Sequence, residues 1–131
     1  MKSKLLILTF AAILVFGVTA FAHHSFAGSY IEDKTVTIEG KVVQFDIRNP
    51  HSFINIEVTK DGKASRWGGE WGGVTQLSEG GVNKFTLKVG DRVIIEGAPS
   101  RDSEEHKVLI RTVTRPAVGT TPEFKWGGTV R

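Results

Sequence analysis

Four histidines, His23, His24, His51 and His106, are the side chains here best suited to metal or acid-base chemistry. There is no cysteine, and the single methionine is Met1. The chain therefore has no disulfide, thiolate metal site or thiol nucleophile, and a Cu(I) carrier built on soft sulfur is disfavoured. His23 and His24 directly follow Thr19-Ala20-Phe21-Ala22, a stretch of small residues that reads as a cleavage site. A cut after Ala22 leaves His23 first in the chain. A first-position histidine offers an amine and an imidazole nitrogen to one metal ion, and its amine, with a pKa of about 7.7–8.0, sheds its proton readily near neutral pH. With a further imidazole from His51, and His24 as a helper, the donor set is all nitrogen and suits Cu(II), Ni(II) or Zn(II). A cut after Ala20 gives Phe21-Ala22-His23 instead, in which the amine, two backbone amides and the third-position imidazole surround Cu(II) or Ni(II) in a square plane. Similar N-terminal histidine chelates occur in exported copper proteins such as lytic polysaccharide monooxygenases, an analogy of one motif and not of fold. The competing reading is a solvated chain start, with His51 serving as a hydrogen-bond partner that stabilises the Asn49-Pro50 turn.

Other groups carry less chemistry. Glu70 lies between Gly69 and Trp71, and its side chain is expected opposite Trp67 and Trp71, toward solvent or a barrel mouth; it is a candidate acid ligand or ligand-binding carboxylate, and reads better as a surface charge. Asp102, Glu104 and Glu105 beside His106 form an acidic loop without the Asp/Asn-Gly pattern of a calcium site, and read as a solvated turn. Phe45, Phe53, Trp67 and Trp71 could stack bases but read better as core and loop anchors. Ser25 beside His24 does not make a nucleophile and its base, and there is no Gly-x-Ser-x-Gly elbow. No phosphate loop or dinucleotide fingerprint occurs either, since Gly68-Gly69 and Gly72-Gly73 flank a strand and not a helix start. His106 is followed by Lys107-Val108-Leu109-Ile110, so the His-x-x-x-Tyr attachment motif of an exported haem chaperone is missing.

The elements that must position these residues begin after an address. Lys2 and Lys4 precede a 14-residue apolar run, Leu5 to Val18, broken only by Thr9. Charge, short apolar core and an Ala-x-Ala ending make residues 1–22 a signal peptide, too short for comfortable spanning, which needs about 20 apolar residues. The rest reads as two parts: an OB-like domain over 23–114 and a loosely held tail over 115–131, pinned by Phe124 and Trp126. The segment up to Lys34 is loop-like. Thr35 to Arg48 is a long strand whose apolar phase shifts between Val42 and Val43, which a strict period of two forbids without an extra residue or a bend; Gly40, just before the shift, suggests a bulge or a sharp coil. Phe53 to Thr59 alternates strictly, Asp61-Gly62 signals a hairpin, and Ala64 to Trp71 forms a third strand. Val74 to Glu79 reads as a short helix stopped by Gly80-Gly81. Val93 to Gly97 and Lys107 to Thr114 complete five strands. Three strands, a helical link and two strands is the order of an OB-fold, so the expected class is all-β, a small five-stranded OB-fold-like barrel with one short helix; a small β-sandwich is the rival. The roughly 109 residues left after processing can bury a core without disulfides.

Charge narrows the partners. Lys and Arg total 17 against 14 acids, a net +3; without Lys2 and Lys4 the balance is +1, far from the cationic face a duplex-DNA binder needs. Three features taken together resemble a known family: His23-His24-Ser25-Phe26 after the leader, Asn49-Pro50-His51 after the first strand, and Leu87-Lys88-Val89-Gly90-Asp91 followed by Val93 and Gly97. They resemble the exported bacterial family catalogued as domain of unknown function 6152, over roughly His23 to Val113, and Trp67-Gly68-Gly69-Glu70 is similar to its Trp-x-x-Glu stretch. The resemblance implies export and a β-domain and implies no reaction. The expectation is a periplasmic or secreted, non-enzymatic binding module with no nucleic-acid partner and no stable membrane insertion, taking Cu(II) or Zn(II) through His23. The alternatives are an interaction or scaffolding domain that docks another envelope protein and, behind it, a copper-dependent oxidase.

Overall fold

A computed structural model describes residues 26–131; the signal peptide expected over 1–22, His23 and His24 lie outside the described residues. The elements run β1 (Val36–Asp46), β2 (Ser52–Lys60), β3 (Lys63–Trp71), a short helix (Val74–Glu79), β4 (Arg92–Pro99), β5 (Lys107–Arg115) and β6 (Phe124–Gly127). The sheet order is β3-β2-β1-β4-β5-β6, and β3 also pairs with β5. That extra pairing, parallel through Gly68–Glu70 and Lys107–Leu109, closes β1 to β5 into a barrel and leaves β6 as an added strand. The OB-like expectation holds, and the sandwich does not.

The coil of β1 makes closure possible. Its first half, Val36–Lys41, pairs with β4, and its second half, from Lys41 to Asp46, pairs with β2. The register slips between Val42 and Gln44, which leaves Val43 as the extra residue and explains the shift of apolar phase. The bulge expected from the phase shift thus falls at Val43, three residues past Gly40. Gly40 serves a close strand crossing instead. A Cβ there would run into the backbone carbonyl of Glu57, so only glycine lets β1 and β2 approach this near. At the β2–β3 hairpin, Asp61 and Gly62 have φ of 52° and 74°, the pair of positive values that a type I′ turn requires.

The core follows from strand alternation. Val42, Ile54, Ile56, Trp71, Val93, Ile95, Val108, Ile110 and Val113 are almost completely inaccessible, each worth about 1.5–3 kcal/mol of apolar transfer. The short helix contributes Leu77 to this core. It ends in a Schellman arrangement, with the Val82 amide bonded to the Leu77 carbonyl and the Gly81 amide to that of Ser78, and Gly81 at φ 76°.

Both ends of the described residues are more tightly held than composition suggests. Within the tail, β6 pairs with β5 from Thr112↔Gly127 to Arg115↔Phe124. Trp126 is buried and meets Trp71 edge-on at 5.1 Å between ring centroids. Gln76 Nε2 donates to the Thr129 carbonyl at 2.6 Å. The expected loosely held tail is thus, in its second half, a sheet edge and a lid on the core. At the other end, residues 26–29 form a helical turn, Tyr30 bridges to Ser100, and the Ile31 amide bonds to the Pro99 carbonyl. Arg101 Nε donates to the Ala27 carbonyl at 2.7 Å, while Arg111 donates to Thr35 Oγ1 at 2.6 Å and to the Glu32 carbonyl. The segment expected as a loop is a strap over the outside of the barrel. Among the described residues no helix is long and apolar enough to cross a membrane.

Candidate functional site

Alternation along β3 turns Gly69 and Trp71 inward and Glu70 outward. The outer face at Glu70 does not meet open solvent, because the N-terminal strap lies across it. Tyr30, 4% exposed, donates its hydroxyl to Glu70 Oε2 at 2.5 Å. His51 Nδ1 lies 2.7 Å from Glu70 Oε1. One carboxylate is thus held by two donors, one on each oxygen, which offsets the cost of taking it partly out of water. The His51 and Glu70 side chains keep 23% and 18% of their surface, so the pair remains reachable. The Phe26 ring packs on His51 at 5.0 Å and on Tyr30 at 6.5 Å, forming the apolar side of the site.

The loop carrying His51 is built firmly. Asn49 precedes a cis peptide to Pro50, and its Oδ1 accepts from the Val74 amide at 2.9 Å. Ser52 is fully buried; its Oγ accepts from the Arg48 amide at 3.1 Å, and its own amide donates to the Gly72 carbonyl. Because Ser52 pairs with Trp71 and Phe53 with Glu70, the β2–β3 ladder sets how far His51 stands from Glu70.

Burial, reinforced by the hydrogen bond to Glu70 and its negative charge, drives the Tyr30 phenol far above its ordinary pKa. Tyr30 is therefore a permanent donor, and it leaves Glu70 as the acceptor for His51. With Nδ1 facing the carboxylate, Nε2 is the ring nitrogen left free of it. This is the geometry by which a carboxylate orients a metal-binding histidine.

The expected ligand set is only partly in view. His51 stands in the site; His23 and His24 precede Phe26 by three and two residues and lie outside the described residues. Among the described residues no group of three or more His, Cys, Asp or Glu side chains is arranged to hold a metal ion. His106 stands apart from the site, stacked on Trp67 at 4.8 Å and 10°. The acidic loop folds onto itself. Glu105 accepts from Lys107 Nζ and Ser100 Oγ, and chiefly the Lys107 bond holds its carboxyl below the usual range; Asp102 Oδ1 accepts the Glu104 amide. Of the aromatics, Trp71 is wholly core, while Phe45 and Trp67 pack against it.

One member of the site, Tyr30, lies beyond what the sequence pattern indicates and belongs to no motif; Glu70 is named there as a candidate carboxylate, although a surface charge is the favoured reading. The available signals are that Tyr30 is the sole tyrosine and that Glu70 alternates away from the core. Neither reveals that the two meet.

The model of the family described as a family of unknown function (DUF6152) matches residues 12–109. The chain belongs to that family. No curated protein matches the chain.

Proposed function

We propose that this member of the DUF6152 family is an exported β-barrel binding module, without catalysis of its own, that takes Cu(II) or Zn(II) where the processed chain start meets the β1–β2 loop. His23 supplies its amine and imidazole, His51 supplies Nε2, and His24 serves as a helper. Glu70 and Tyr30 stand behind His51 as orienting groups and do not ligate. The single observation that carries this reading is the hydrogen-bonded line Tyr30–Glu70–His51, which commits Nδ1 and leaves Nε2 as the donor atom. A turn-stabilising histidine needs no buried phenol and carboxylate behind it.

The test is a calorimetric titration of Cu(II) into the processed protein, with intact mass fixing its first residue. His51→Ala is expected to weaken binding at least tenfold, and Glu70→Gln by about ten- to a hundredfold, the usual effect of removing an orienting partner. One extra residue ahead of His23 is expected to cost as much as His51→Ala, because the amine moves out of the chelate ring. Unchanged affinity in His51→Ala removes the site as proposed. A processed protein that binds no metal leaves the alternative, a domain that docks another envelope protein.

A further inference from the structure

Among the described residues the most exposed large apolar side chains are Val89 at 73%, Phe85 at 72% and Val118 at 67%, with Val74 on the short helix at 40%. Phe85 and Val89 belong to the loop between the short helix and β4, and that loop is not slack. Val82 and Leu87 anchor it in the core. One turn is closed by the Thr86 amide on the Asn83 carbonyl, with the Asn83 amide bonded to Thr86 Oγ1 at 2.8 Å and the Phe85 amide to Asn83 Oδ1 at 2.8 Å. A second is closed by the Asp91 amide on the Lys88 carbonyl and by the Lys88 amide on Asp91 Oδ2 at 2.9 Å, with Gly90 at φ 93°. Phe85 and Val89 occupy the central positions of these two turns, so the fold holds both outward while Leu87 between them points in.

The third apolar residue belongs to an adjoining arm. Arg115 NH1 donates to the Thr86 carbonyl at 2.6 Å, and NH2 to the Pro122 carbonyl at 3.0 Å. One guanidinium therefore ties the loop to the hairpin at whose base Val118 and Thr121 bridge. The charges are one-sided. Lys84 and Lys88 flank Phe85 and Val89, both exposed and neither in an ion pair among the described residues. The only acid in the 82–91 loop, Asp91, is occupied by the Lys88 amide and by Arg115 at 3.9 Å.

Rigid turns that present an aromatic and an aliphatic tip beside lysines free of ion pairs among the described residues, Lys84 with its ammonium 5.0 Å from the Phe85 ring centre, match a lipid surface. The tips enter the acyl boundary while the ammonium groups meet anionic phosphates at headgroup level. We propose that this loop docks the protein peripherally on membranes carrying anionic phospholipid. No spanning segment is involved, and the Glu70 site is left free, since none of its residues belongs to either loop.

The test is co-sedimentation with vesicles of phosphatidylglycerol and phosphatidylcholine against phosphatidylcholine alone, comparing wild type and variants with the same N-terminus. Wild type is expected to bind the anionic vesicles and to be released by salt. Phe85→Asp with Val89→Asp is expected to lower the partition coefficient at least tenfold. Lys84→Ala with Lys88→Ala is expected to lower it several-fold on anionic vesicles only. Both pairs are exposed, so unchanged circular dichroism and melting identify folded variants. The proposal is overturned if wild type ignores anionic vesicles or if Phe85→Asp with Val89→Asp binds them equally. It is also overturned if ultracentrifugation finds a dimer that Phe85→Asp abolishes, since the tips are then covered by a second copy.

Discussion

Tyr30 is the chain's only tyrosine, so its ionisation can be followed by absorbance without interference. Its folded pKa is raised by burial first and by Glu70 second. A group raised on folding stabilises fully below its unfolded pKa, here about 10, and the stability falls as pH rises above that value, by about 1.4 kcal/mol per pH unit. The expected outcome is no phenolate signal near pH 10 in the folded protein, with ionisation appearing only as the chain unfolds at higher pH; in concentrated denaturant the same tyrosine titrates near its ordinary value. Tyr30→Phe should remove most of the added alkaline sensitivity in urea midpoints measured between pH 9 and 11, and an ordinary titration in the folded protein would contradict the Tyr30–Glu70 bond. His51 is legible in the sequence because Asn49-Pro50 marks a turn and places an imidazole at its exit. The pairing of Tyr30 with Glu70 is not. Forty residues separate them, and the strap that brings them together has no periodicity, being held by Arg101 and Arg111 bonding to its backbone carbonyls.

Among the elements, those with strong alternation are legible from the residues alone. Ile54, Ile56 and Val58 define the face of β2, and the Val42–Val43 phase break reveals a bulge, although the glycine that looks like its marker serves a close strand crossing. The sixth strand is hidden because four residues in a Pro-, Gly- and Thr-rich stretch give no period to count. Its strength comes instead from Trp126 against Trp71, a contact between distant parts of the chain. Trp126→Ala is expected to cost about 3–5 kcal/mol, the usual loss for emptying a buried tryptophan site, read as a lower urea midpoint. Phe85→Ala, at an exposed turn, should stay within about 0.5 kcal/mol of wild type. If Trp126→Ala were equally silent, β6 would be an ornament on the barrel and not part of its core.

At the scale of the whole molecule, the proposed metal would join the chain start to the β1–β2 loop. The strap is held by Tyr30, by two arginines and by edge pairing with Pro99 and Ser100, and its first residues lead directly to His24 and His23. In the proposed site an ion shared by His23 and His51 would cross-link the chain start to the β1–β2 loop, and it would bind the folded state far better than an unfolded chain in which these donors are scattered. Mass action then stabilises the fold by about 2.7 kcal/mol at a hundredfold excess over the dissociation constant, a rise in melting temperature on the order of 10 °C for a domain this size. Protons compete for the amine and both imidazoles, so the rise should be larger at pH 8 than at pH 6. Differential scanning calorimetry with and without Cu(II) measures it, on the processed chain and on one carrying a residue ahead of His23. An equal shift in both chains would mean that the metal sits on side chains alone, and the N-terminal amine would drop out of the site.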